Sequence, residues 1–390
     1  MKTRNIQINL FYQKGLTLVE LMISLVISSV LMIGVANIYS SSKEAYKVND
    51  EYSILQENAR LAFRFLTQDI RMAGYVGCAF IKPDGTNFDS TLDTANLTAA
   101  QEAFVNGFGT GLEGFDALGT TPGSTLNLAS PPSTFNRAVN TLFTGHINGS
   151  DILIVRHANG AGIKLDGNKN SANFAIQNGG SSAITDGCHI PSGICESDIL
   201  VVSDCTKARM FQVTNITNAA DVVKLVHAAS GAPGNSLSSW GGSSVDESEW
   251  FAPGDSEILR MGAYAYYIAT GTSGLPTLMR LSNFSAAPQE LVEGVENMQI
   301  LYGVDNNDDG RPNQYIVAPT VVNTNVVSVR ISLLMSTPGE IPNRPNDTRT
   351  YKMLSENNAV NVRVTPVPDR RIRKVFTTIV KLRNKGLIDE

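Results

Sequence analysis

No proline occurs before Pro83, and no glycine between Gly34 and Gly74. Residues 35–73 therefore lack the two residues that most readily interrupt a helix. Patterns that carry catalysis are missing as well. His146, His157, His189 and His227 form no H-E-x-x-H, there is no G-x-S-x-G elbow and no P-loop, and no Cys-x-x-Cys pair is present. These absences remove the commonest hydrolase, nucleotidase and zinc-site patterns and leave a non-catalytic protein as the expectation. A basic surplus is also lacking. The formal net charge is −5, and the charges of the first fifteen residues, Lys2, Arg4 and Lys14, are all basic, so the rest is more acidic still. Phosphate backbones call for a basic surface, so nucleic acid is not an expected partner. No internal repeat is visible.

What stands at the N-terminus is a short basic leader, residues 1–15, followed by an almost purely apolar run, residues 16–39, that contains one carboxylate, Glu20. A charge inside a spanning helix costs about 2.5–3.5 kcal/mol on insertion scales, so it needs a partner. A free amine created by cutting after Gly15 would supply one. A secretory signal has a shorter apolar region, about 7–15 residues, closed by a small-x-small site; no such site closes this run. A plain anchor explains the length, since a bilayer takes about 20 residues. It also explains the basic leader, which holds that end in the cytoplasm. It explains neither Glu20 nor the Gly15-Leu16 junction.

The apolar run leads into an amphipathic segment, residues 40–74. Val48, Tyr52, Leu55, Ala59, Ala62, Leu66 and Ile70 recur at helical spacing, and Lys47, Glu51, Glu57, Arg60, Arg64 and Asp69 lie largely off that face. Residues 16–73 would form a rod of roughly 85–90 Å, with Gly74 as its stop; a hinge near residues 39–42 would instead give two helices. Residues 75–390 read as a globular head. Loop composition fills about 82–150, 159–197 and 228–255. Antiparallel strands are expected at 151–157, 198–203, 210–214, 222–226, 258–269, 277–281, 298–304, 326–336 and 374–383, with a hairpin across 271–276. A short helix is expected near 289–296, because carboxylates crowd its first turn. One long helix followed by strands without βαβ alternation is an α+β class. Beyond the membrane Cys78, Cys188, Cys195 and Cys205 can oxidise. Two disulfides are expected from them, with three pairings open; zinc on Cys188, His189, Cys195 and Cys205 is the weaker alternative.

The stretch Lys14-Gly15-Leu16-Thr17-Leu18-Val19-Glu20 resembles the processing site of type IV pilins and the pseudopilins of type II secretion, with Leu16 where most members have Phe. The resemblance implies a prepilin peptidase that cuts after Gly15 and methylates the new amine of Leu16, with Glu20 guiding the subunit from the inner membrane into a filament. Three further blocks resemble the PilW family of minor pilins: FLTQDIRMAGYVGC at 65–78, VEGVENMQILYGVD at 292–305 and RIRKVFTTIVKLRN at 371–384. They imply a pilin-like fold, the long helix packed on an antiparallel sheet, in a subunit that primes pilus assembly at or near the tip. Its partners would be other minor pilins and the major pilin. A J-type pseudopilin is the related alternative, and a membrane-anchored binding protein or enzyme the unrelated one.

Three stretches invite chemistry. Asp305, Asn307 and Asp309, with Gly310 and the carbonyl of Arg311, match the first half of an EF-hand-type calcium loop. Ile316 stands where the bidentate glutamate belongs, and a polar turn is the simpler account. Gly109, Gly111 and Gly114 spell G-x-G-x-x-G without the preceding strand that a dinucleotide site needs, following instead a helix-like run at 99–105. Arg370, Arg371, Arg373 and Lys374 are expected as a solvated cluster guarding a strand edge, or as a docking patch for an acidic neighbour.

Overall fold

In the computed structural model, described residues are Gly15 and 17–384, except 80, 83–85, 94, 96–107, 109–110, 121–122, 133–142, 144, 168–171, 178–183, 220–221, 230–233, 241–249, 284–286, 319–324 and 355–361. Residues 1–14 of the leader, Leu16, the helix-like run at 99–105 and Gly109 lie outside them.

A single α-helix, Leu18–Met72, runs the whole expected distance without a hinge. From Thr17 to Lys47 every residue is exposed. Beyond that, Leu55, Ala59, Ala62, Leu66 and Ile70 form one buried stripe, as their spacing requires. The helix ends where Gly74 turns with φ +73 and donates its N–H to Arg156 O at 2.9 Å. A side chain at Gly111 would collide with the Gly74 backbone, so glycine on both sides lets the two chains cross there.

The head is built on two main sheets. The four-stranded sheet runs in the order Gln314–Ile316, Val295–Val304, Val326–Ser336, Arg373–Lys381. The larger sheet has Glu257–Thr270 at its centre, flanked by Ile152–Gly167 and Ile199–Ser203, with Pro276–Ser282 and then Gln289–Glu293 as a side branch. The helix stripe packs with Leu153, Val155, Tyr266 and Ile268 of the larger sheet and with Met298, Ile300, Val329, Ile331 and Leu333 of the smaller one. Val295–Val304 is buried along its whole length, because the helix covers one face while Leu301 joins a second cluster with Leu126, Leu334 and Val364. The expected hairpin is present, Tyr264 opposite Ser282 through Thr270 opposite Pro276. The fold is α+β, one long helix on a strand-rich head.

Several expectations change. Residues 289–296 are not helical; they are the strand Gln289–Glu293, the turn at Gly294 (φ +81) and the start of Val295–Val304. Glu290 and Glu293 belong to an edge strand, where Glu290 accepts from Thr272 N at 2.9 Å, and Glu296 is buried in the strand that follows, rather than any of them marking a helix start. The stretch 159–197 is not all loop: Ile152–Gly167 extends through its first part, and Asn173–Gln177 and three two-residue strands follow. Leu112–Phe115 and Thr125–Asn127 likewise interrupt 82–150. Among the described residues two pairings are parallel, Phe88–Ser90 with Ala208–Gln212 and Thr125–Asn127 with Val362–Thr365. Short edge strands brought in by long connections need not reverse direction. The cysteines pair Cys78–Cys205 and Cys188–Cys195, which leaves no thiolate for zinc.

Candidate functional site

The helix N-terminus is set by its own sequence. Thr17 is the N-cap, and Glu20 is the third helical residue. Thr17 Oγ1 accepts from Glu20 N at 3.3 Å, while Glu20 Oε2 accepts from Thr17 N at 3.0 Å and from Thr17 Oγ1 at 2.9 Å. This reciprocal box satisfies donors that a helix start leaves open. Sequence reasoning assigned Glu20 to assembly alone and overlooked this local role, although T-x-x-E was there to be read. Gly15, one side of the expected cut, is exposed just ahead of the cap.

The apolar half of the helix is the one span long and apolar enough to cross a membrane among the described residues, and no described residue buries it. Two of its serine hydroxyls are satisfied internally: Ser24 Oγ donates to Leu21 O at 2.9 Å and Ser29 Oγ to Val26 O at 2.8 Å. That removes the cost of carrying bare polar groups into hydrocarbon.

Polar ties reinforce the buried stripe in the other half. Gly339 N donates to Glu51 Oε2 at 3.1 Å, Asn58 Nδ2 to Glu293 O at 3.2 Å and Lys374 Nζ to Tyr52 OH at 3.0 Å. Asp69 does not lie off the packed face, as the pattern suggested. It is buried, and Tyr266 OH donates to its Oδ2 at 2.5 Å. Burial first, and the Asp69 charge second, push the Tyr266 phenol above its ordinary range, so it stays a donor. The helix end is covered by the last described residues: Arg383 N donates to Arg71 O at 3.2 Å and Asn384 Nδ2 to Met72 O at 3.3 Å.

The other expected stretches resolve as follows. In the Asp305 loop both carboxylate oxygens accept backbone N–H groups, Asn307 N at 3.1 Å and Gly310 N at 2.7 Å. Asp309 accepts from Arg311 N at 2.8 Å, and Ile316 pairs with Tyr302 in a strand. Among the described residues no three His, Cys, Asp or Glu side chains converge as metal ligands. The Gly111–Gly114 end of the G-x-G-x-x-G enters the strand Leu112–Phe115, not a helix, so it is no dinucleotide turn. The basic run is solvated only in part: Arg370 and Lys374 are exposed at an edge strand, and Arg373 is not. Arg373 is buried between Glu296 and Asp369 at 2.7 and 2.6 Å. Arg370 pairs with Glu340 at 3.0 Å, and Arg371 with Asp369 at 3.0 Å.

Residues 265–384 match the family model for type IV pilus-assembly protein W, PilW, and residues 10–36 match the prokaryotic N-terminal methylation motif. Over residues 265–384 the chain is similar to PilW. Its PilW segment runs from the second half of Glu257–Thr270 to Asn384. It thus contains the whole four-stranded sheet under the helix and the residues that cover the helix end. Both disulfides, Cys78–Cys205 and Cys188–Cys195, lie outside it. No curated protein matches the chain. Among solved structures, a type IV-like pilin from Thermus thermophilus is similar at 21% identity and TM-score 0.17, over 32% of this chain and 66% of that one.

Proposed function

We propose that this protein is a non-catalytic minor pilin that primes type IV pilus assembly and sits at or near the tip with other minor pilins. The carrying observation is a continuous helix that is apolar and uncovered over its first half, bears one carboxylate at its start, and is fixed to a PilW-type sheet over its second half. The leader holds the N-terminus on the cytoplasmic side of the inner membrane until the prepilin peptidase cuts between Gly15 and Leu16 and methylates the new amine. Glu20 then pairs with the amine of Leu16, its own or a neighbour's, as the helix moves from lipid into a filament core. Thr17 keeps the carboxylate in place meanwhile.

Mass spectrometry of the protein recovered from cells should find a mature chain beginning at methylated Leu16; a chain still beginning at Met1 rejects the proposal. Glu20→Ala should stay in the membrane and lose assembly. An anchored receptor or enzyme would be indifferent to that change.

A further inference from the structure

Where the helix leaves the head, a cleft of about 670 Å³ opens between its last turns, the strand Ile152–Gly167 and the covering C-terminal residues. The volume suits a small ligand. Arg64, Arg71 and Arg383 stand on its rim, exposed, and none of their side chains is engaged in a salt bridge among the described residues. Asp69 is the one carboxylate in the lining, so the cleft is cationic in a protein whose net charge is negative. The negative helix end does not oppose this, because its carbonyls at Arg71 and Met72 are already capped.

The floor asks for something different from the rim. His157, 5% exposed, holds its Nδ1 at 3.0 Å from Ala158 O. A carbonyl only accepts, so Nδ1 carries a hydrogen. Nε2 has no hydrogen-bond partner and faces Asp69 Oδ1 at 3.7 Å. At 3.7 Å the two atoms are too far apart for a direct hydrogen bond, and a hydroxyl seated between them can reach both. Phe63 and Tyr75 supply aromatic wall. A ligand that fits must bring an anion for the rim, O–H donors for the floor and a face to lie against rings.

We infer that this cleft binds an acidic saccharide. Its carboxylate lies among Arg64, Arg71 and Arg383, and its hydroxyls hydrogen-bond His157 Nε2 and donate to Asp69 Oδ1. Arg64 stands about 35–40 Å along the helix from the end of the apolar half at Tyr39, clear of any bilayer. The inference does not depend on the pilin proposal, since an anchored receptor could use the same cleft.

The test is calorimetry on the detergent-solubilised full chain with trigalacturonate, maltotriose and hexaglutamate as probes. Trigalacturonate should bind, with maltotriose and hexaglutamate each weaker by about tenfold or more, the loss expected when charge-assisted or hydroxyl contacts are missing. Arg64→Ala and Arg383→Ala, both exposed and outside the core, should each weaken trigalacturonate by about tenfold with the unfolding midpoint unchanged. His157→Phe should weaken trigalacturonate but leave any residual hexaglutamate binding as it was. Absence of trigalacturonate binding overturns the inference. So does equal binding of hexaglutamate, which would mean an acidic peptide groove, or affinity unaffected by the arginine variants.

Discussion

Asp116 and Asp151 face each other near the buried Tyr302. Asp151 is fully enclosed, and its oxygens accept from Ala117 N at 3.0 Å and Ile300 N at 2.7 Å. Burial, then the charge of Asp116, pushes Asp151 well above the carboxylate range, and burial pushes Asp116 up to about 6 from 3.8. A raised folded pKa means the native state holds protons that the unfolded chain has released. Stability is therefore greatest below about pH 4 on this account and falls as pH rises through about 6. Asp116→Asn, which mimics the protonated acid, should raise the urea midpoint at pH 7–8 and flatten its decline between about pH 4 and 6. His227 works in the opposite direction: its enclosed ring is pushed down to about 4, favouring the fold as pH rises. The informative quantity is thus the difference between variant and parent at each pH. Neither acid was singled out from sequence, because a lone Asp in a strand or turn looks the same whether its neighbour is water or another carboxylate.

The helix and its stripe set the next scale. Leu66 is wholly buried against both sheets, whereas Leu61, one turn away, is 37% exposed. Leu66→Ala should lower unfolding stability by about 2–5 kcal/mol, and Leu61→Ala by about 0.5 kcal/mol or less, in chemical denaturation. Periodicity made five of the seven stripe positions readable as buried, because a helix repeats its face locally. Asp69 was misassigned because its partner, Tyr266, lies 197 residues away. The 289–296 segment failed for a related reason: charge near an expected N-terminus cannot be told from charge on an open strand edge until Gly294 is known to turn. The Asp305 loop offers a third element-level test. If calcium binds there, titration calorimetry on the full chain should give heat that disappears in Asp309→Ala; silence in the parent rejects the site. The backbone N–H groups already on Asp305 and the strand position of Ile316 argue for silence.

Across the whole molecule the two disulfides divide the work unequally. Cys78–Cys205 ties the helix exit to the larger sheet over a separation of 127 residues, while Cys188–Cys195 closes 7. By loop-closure entropy the first should be worth about 5 kcal/mol and the second about 2.5 kcal/mol. Denaturation midpoints of the two double Cys→Ser variants should rank accordingly, and equal losses would mean that native-state strain or residual unfolded structure dominates. The sequence by itself determined the N-terminal half of this protein's logic. A spanning length, a basic leader, a lone Glu20 and a 3.6-residue stripe are all local patterns, each readable within a few turns of chain. Only the tertiary structure decided which cysteines pair, that Arg373 is buried between Glu296 and Asp369, and that Arg64, Arg71, His157 and Arg383 meet in one cleft. Those arrangements join residues tens to hundreds of positions apart, and their energies depend on the burial and distance that folding alone creates.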